Sequence, residues 1–135
     1  MIKYNVTTDK NECLECRTLF KQYFPKAFLE TKYVKIYSIA KDGDKIVGCI
    51  GMKLSKEPGI IVVHYMFIHP DYRNKNIRPK MFKEAIKHFK KDKKIYLMRT
   101  YSVPDKFKQN MIKNHKFNEN NLVGLGTIEL YVGGK

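Results

Sequence analysis

A mixed α/β fold follows from three features of this 135-residue sequence. Two β-branched segments, 34–40 and 46–54, flank the turn Lys41-Asp42-Gly43-Asp44, which is a strong hairpin signal. The stretch Ile60 to Ile68 is nearly all apolar, as expected of a central strand covered on both faces. An amphipathic helix and another strand follow it, the order of a strand–helix–strand crossover.

Each element has its own signal. Residues 2–7 alternate apolar and polar side chains and predict a first strand. Asp9, with Glu12 three residues on, caps a helix that runs to about residue 24, where Pro25 ends it. Residues 27–33 are ambiguous, with a short second helix as one reading. Gly48 and Gly51 allow a bulge or close packing in the hairpin's second strand. Glu57-Pro58-Gly59 then turns the chain into the apolar strand. Ile77, Met81, Phe82, Ala85, Ile86 and Phe89 recur at helical spacing and face the core, while Lys80, Lys83, Lys87, Lys90 and Lys91 line the other side. Residues 95–98 form a strand, Pro104 opens a helix to about residue 114, and 127–132 close the sheet. The order is β-α-β-β-β-α-β-α-β in a single domain, 1–135, without repeat or linker.

Bulk properties narrow the function classes. No apolar run reaches membrane-spanning or secretory length, which predicts a soluble, cytoplasmic protein without a membrane partner. Cys13, Cys16 and Cys49 are an odd count, against a disulfide framework. Cys13 and Cys16 share a helix face with Phe20, Tyr23 and Phe24 and read as core thiols. No second pair stands at finger-like spacing, and His69, His88 and His115 are scattered, so no metal site is predicted. The net charge of +14 points to anionic partners, though 23 of the 27 basic residues are lysine, a bias that base composition alone produces. Ten of the basic residues fall between Arg73 and Lys94, against Glu84 and Asp92 only. Nucleic acid is therefore one candidate partner for the lysine face, and an ordinary solvated face is the alternative.

The run from Met66 to Met81 carries the most information. It passes from apolar strand through a donor-rich turn, Arg73-Asn74-Lys75-Asn76-Ile77-Arg78, into the amphipathic helix. Such a turn offers free backbone N–H groups and the positive end of a helix dipole, which suits phosphate. Any strand–turn–helix crossover also needs a polar turn. Phe67-Ile68-His69-Pro70-Asp71-Tyr72-Arg73, however, resembles the Val-x-Pro-x-Tyr/Phe-Arg phrase of the GNAT superfamily of acyl-CoA N-acyltransferases. In that family an Arg/Gln-x-x-Gly-x-Gly/Ala turn and a helix come next. Asn76 and Arg78 stand where the family has Gly and Gly or Ala. Asn76 tolerates a left-handed backbone, whereas Arg78 introduces a side chain that obstructs the turn or pairs with phosphate.

The resemblance extends to the element order along nearly the whole chain. It implies a GNAT-like, mostly antiparallel sheet flanked by helices, and transfer of an acetyl group from acetyl-CoA to an amine acceptor. It also implies that strand 60–68 splays from the next strand to admit the pantetheine arm. Backbone at Met66, Phe67 and Ile68 would hold that arm, and residues 73–78 the pyrophosphate. His64 falls where several members place a glutamate base. An unperturbed imidazole titrates near pH ~6.5, suitable for that task; the other reading is a satisfied polar group of a central strand. Ile112 occupies the position of the family's proton-donating tyrosine and Lys116 that of a glycine. Tyr65 and Tyr101 are substitutes that the sequence does not separate. The leading expectation is an acetyl-CoA-dependent N-acetyltransferase whose acceptor is anionic or attached to an anionic molecule. The alternative is a GNAT-fold binding protein that has lost catalysis and holds an anion on its lysine face.

Overall fold

The computed structural model describes residues 1–25, 34–101 and 103–133. The elements are β1 (Ile2–Thr7), α1 (Lys10–Tyr23), β2 (Ile36–Asp42), β3 (Lys45–Leu54), β4 (Ile60–Ile68), a 3-10 turn (Pro70–Tyr72), α2 (Ile77–Lys90), β5 (Leu97–Thr100), α3 (Asp105–His115), β6 (Asn118–Glu119) and β7 (Ile128–Tyr131). The strands lie in the order β1-β2-β3-β4-β5-β7-β6. β4 and β5 pair parallel; β1–β2, β2–β3, β5–β7 and β6–β7 pair antiparallel. The predicted α/β class is observed, with a mixed, mostly antiparallel sheet. The ambiguous segment 27–33 lies outside the described residues. β6 escapes sequence reading because its two residues are exposed and carry no apolar pattern.

Contacts gather the chain into two compact units, one of residues 1–53 with 65–85, the other of 54–64 with 86–135. In the first unit, Asp9 caps α1 by accepting from the Glu12 N–H at 3.0 Å, as predicted. The Glu12 carboxylate does not fold back to complete a capping box. It accepts from the Thr7 hydroxyl at 2.6 Å and pairs with Lys41 at 3.2 Å. Gly43 makes the hairpin turn with φ +62°. Gly48 lets α2 approach β3 closely, since a Cβ there would meet Met81 Sδ at 3.1 Å and Ile77 Cγ2 at 3.2 Å. The buried Ser38 hydroxyl fastens the same helix by donating to the Met81 carbonyl at 2.7 Å.

Cys13, Cys16 and Cys49 are buried in this unit's core with Phe20, Tyr37 and Phe67. Burial, with Cys16 adding to it, pushes the Cys13 thiol up to about 11. The Cys16 thiol is raised as well, by its hydrogen bond with Cys49 and then by burial. The Cys13 and Cys16 thiols are protonated core groups at neutral pH. Among the described residues no cluster of side chains is arranged to hold a metal ion.

In the second unit, β4 and β5 run in register from Ile60–Leu97 to Val62–Arg99. Ile60, Val62 and Leu97 pack together there. α3 ends at Lys116, whose backbone is left-handed at φ +65° and whose N–H reaches the Met111 carbonyl. That residue takes the αL cap conformation that usually selects glycine.

One expectation is corrected. β4 is covered along 60–63 and at Phe67, but His64 is exposed and Tyr65, Met66 and Ile68 are half-exposed. Apolar composition reports what a strand can lie against; it does not guarantee that the chain itself supplies the cover. His64 thus lies on the exposed part of the strand, outside the core.

Candidate active site

The turn after β4 is held at both ends. At its start the His69 N–H donates to the Val47 carbonyl of β3 at 2.8 Å. Pro70 opens the 3-10 turn, and the His69 Nδ1 atom caps it by accepting from the Asp71 N–H at 3.2 Å. The Tyr72 hydroxyl donates to Asp42 Oδ2 at 2.6 Å, which raises the phenol's pKa. The ammonium groups of Lys75 and Lys45 lie 5.3 and 5.6 Å from the centre of its ring, within cation–π range. Arg73 turns back, its Nε donating to the Ile68 carbonyl at 3.4 Å.

Asn74 and Asn76 then take left-handed conformations at φ +65° and +61°. Asn76 therefore adopts the backbone that a glycine supplies at this place in the motif, at modest cost for this residue type. α2 begins immediately, with no acidic residue in its first turn. Of its first four N–H groups, which have no intrahelical acceptor, Pro79 removes one and leaves those of Ile77, Arg78 and Lys80. Arg73, Asn74, Lys75 and Asn76 are exposed and Arg78 is half-exposed. The Ile77 side chain is buried and can offer a ligand only its backbone. The same holds for Phe67, whose ring packs on Tyr23 with centroids 4.8 Å apart. Met66 and Ile68 present partly open side chains beside it. The chemistry available is anion binding by main-chain donors and a helix dipole beside the basic residues of the turn, Arg73, Lys75 and Arg78.

A second constellation is built around Arg99 of β5. Its Nε pairs with Glu129 of β7, directly opposite in the sheet, and both side chains are more than nine-tenths buried. Asn120 holds the other Glu129 oxygen at 2.8 Å. The Arg99 Nη1 atom points elsewhere, donating to the Tyr101 hydroxyl at 3.2 Å and pairing with Glu57 at 3.4 Å. Burial works against the guanidinium's charge, but hydrogen bonds to Tyr101 and Glu129 outweigh it and raise the pKa. The β4–β5 pairing runs as far as Val62–Arg99, and Tyr101 lies just past the end of β5. Sequence reading named His64 and Tyr101 but missed Arg99, Glu129 and Glu57. The available signal was one charge of opposite sign in each of two short apolar segments, 97–100 and 128–131.

Lys80, Lys83, Lys87, Lys90 and Lys91 are all exposed. No described helix is long and apolar enough to cross a membrane.

Comparison with known proteins gives one answer at two levels. A family model described as the acetyltransferase (GNAT) family matches residues 5–117. Among curated proteins none matches. Solved structures match across nearly the whole chain. Tetrahymena GCN5 has a TM-score of 0.71 at 14% identity, covering 98% of each chain. The ribosomal-protein-S18-alanine N-acetyltransferase of Escherichia coli has 0.70 at 9%, covering 96% of this chain and 94% of its own. A GNAT family acetyltransferase of Brucella melitensis, solved in complex with acetyl-CoA, has 0.66 at 11%, covering 97% and 89%. At these identities the likeness establishes the fold alone.

Proposed function

Because the chain belongs to the GNAT acetyltransferase family, we propose that it transfers an acetyl group from acetyl-CoA to an amine. The observation that carries this reading is the turn. Asn76 keeps the left-handed backbone without glycine, ahead of a helix whose first turn has basic residues and no acidic one. In this reading Arg73, Asn74, Lys75, Asn76, Ile77 and Arg78 receive the pyrophosphate. The open half of β4 receives the pantetheine arm through the backbone of Met66, Phe67 and Ile68. His64, exposed on the same strand, takes a proton from the acceptor ammonium. The neutral nitrogen then attacks the thioester carbonyl, a β4 N–H stabilises the oxyanion, and collapse breaks the carbon–sulfur bond. The net charge of +14 favours an acceptor that is itself anionic or borne on an anion. Three reduced, buried thiols support a cytoplasmic setting.

Thermal unfolding with and without ligand tests the reading. Acetyl-CoA at a hundred times its Kd should stabilise the protein by about 2.7 kcal/mol. No rise in Tm at millimolar acetyl-CoA, under conditions where another GNAT enzyme responds, would defeat it.

A further inference from the structure

Arg99 is fixed at one end of its guanidinium only. The side chain is 7% exposed, and its Nε is engaged by Glu129, which neutralises the buried charge. Asn120 locks that partner by holding its other oxygen at 2.8 Å. At the far end Nη1 meets a second carboxylate, Glu57, at 3.4 Å, and among the described residues no hydrogen bond engages Nη2. We propose that this end of Arg99, with the Tyr101 hydroxyl, is a binding site for the carboxylate of a small molecule, and that Glu57 holds the place when the site is empty.

Glu57, Arg99, Tyr101, Asn120 and Glu129 all belong to the second unit, and nothing in the site depends on the acetyltransferase reading. Burial of the guanidinium requires one counter-charge, and Glu129 supplies it; Glu57 is a second carboxylate beyond that need. It is also a loose partner. Its side chain is 67% exposed, and a single oxygen reaches a single nitrogen at long range, a contact that contributes little and exchanges readily. A ligand carboxylate in its place sets both oxygens against Nη1 and Nη2, the planar two-point pairing that suits arginine. The Tyr101 oxygen accepts from Nη1 at 3.2 Å and so keeps its own O–H for the same ligand. Tyr101 is 43% exposed, which lets a ligand reach it and gives an aromatic acid an apolar ring to lie against. Three donors on a rigid frame select an anion, and the group now among them is itself a carboxylate.

Sodium benzoate and its neutral analogue benzamide, titrated into isotope-labelled protein, test the site through the side-chain NMR signals of Arg99. Benzoate should shift the Arg99 Nε–H signal saturably, and benzamide should not. Glu57→Gln removes the competing carboxylate from an exposed position and should tighten benzoate about fivefold, the upper range for an exposed ion pair. Tyr101→Phe should weaken it about tenfold, as for one hydrogen bond to a charged acceptor. Inorganic phosphate should bind more weakly than benzoate. No saturable shift with benzoate, or an equal shift with benzamide, overturns the site. Unchanged affinity in Glu57→Gln overturns the place-holding role of Glu57, and unchanged affinity in Tyr101→Phe overturns the part given to Tyr101. Tighter binding of phosphate than of benzoate overturns the choice of carboxylate.

Discussion

The Tyr72 hydroxyl donates to Asp42 at 2.6 Å, so the turn ahead of α2 is tied to the last residue of β2. A loop that must present main-chain donors to an anion gains from such a tether, because less ordering remains to be done on binding. Tyr72→Phe should leave the fold intact and weaken acetyl-CoA binding several-fold. Circular dichroism and calorimetry would check the two halves, and an unchanged Kd would remove the tether's role in binding.

Asn76 and Lys116 hold left-handed conformations where the family has glycine. An L side chain with a Cβ costs about 1–2 kcal/mol in that region, somewhat less for asparagine. Lys116→Gly should therefore stabilise the protein by about 1 kcal/mol in urea unfolding, after the greater entropy of the unfolded glycine is allowed for. Asn76→Ala should destabilise it by a similar amount.

The buried thiols give stability a pH dependence of definite sign. Cys13 moves from an ordinary 9.0 to about 11 on folding. The folded state thus binds more protons than the unfolded state between those values, and stability falls as pH rises. The Cys13 contribution should be complete below pH ~9 and lost by pH ~11. Cys13→Ala has no thiol to ionise there. Its Tm should decline less than wild type over that window, relative to its own value at pH 8.

His64→Gln should lower kcat/KM by about 10²-fold or more, as for loss of a general base. The acidic limb of the pH–rate profile should disappear with it. A variant with wild-type rate and limb would return His64 to a purely surface role.

Lys80, Lys83, Lys87, Lys90 and Lys91 should behave as an ordinary solvated face. Binding to duplex or single-stranded DNA is expected to be weak and to vanish near physiological salt, with log affinity falling linearly in log salt. Lys83→Glu combined with Lys87→Glu should weaken it for every sequence alike and spare acetyl-CoA binding. Submicromolar affinity at that salt, lost in the double variant, would revive the nucleic-acid reading.

The parts of this fold legible in the sequence were those with local causes. The Asp9 cap, the Gly43 hairpin and the apolar stripe of α2 all appear where short-range patterns put them. Strand ends drifted by about two residues: β2 starts at Ile36 and β5 at Leu97, because hydrogen bonding to the neighbouring strands rather than composition decides them. At the turn, the motif singled out residues 73–78 as candidates, but gave no sign that Ile77 is buried and Asn74 left-handed. The Arg99–Glu129 pair was invisible for a different reason. Its members are 30 residues apart, and only the β5–β7 register brings them face to face.

β4 passes from a buried stretch, 60–63, to one where His64, Met66 and Ile68 are open. Variation in the first stretch is answered by the core and is limited by folding. Variation in the second is answered by whatever lies against it. A lineage can therefore alter positions 64, 66 and 68 and drift toward new reactants before the scaffold loses stability. The strand gives one continuous backbone two separate evolutionary tempos.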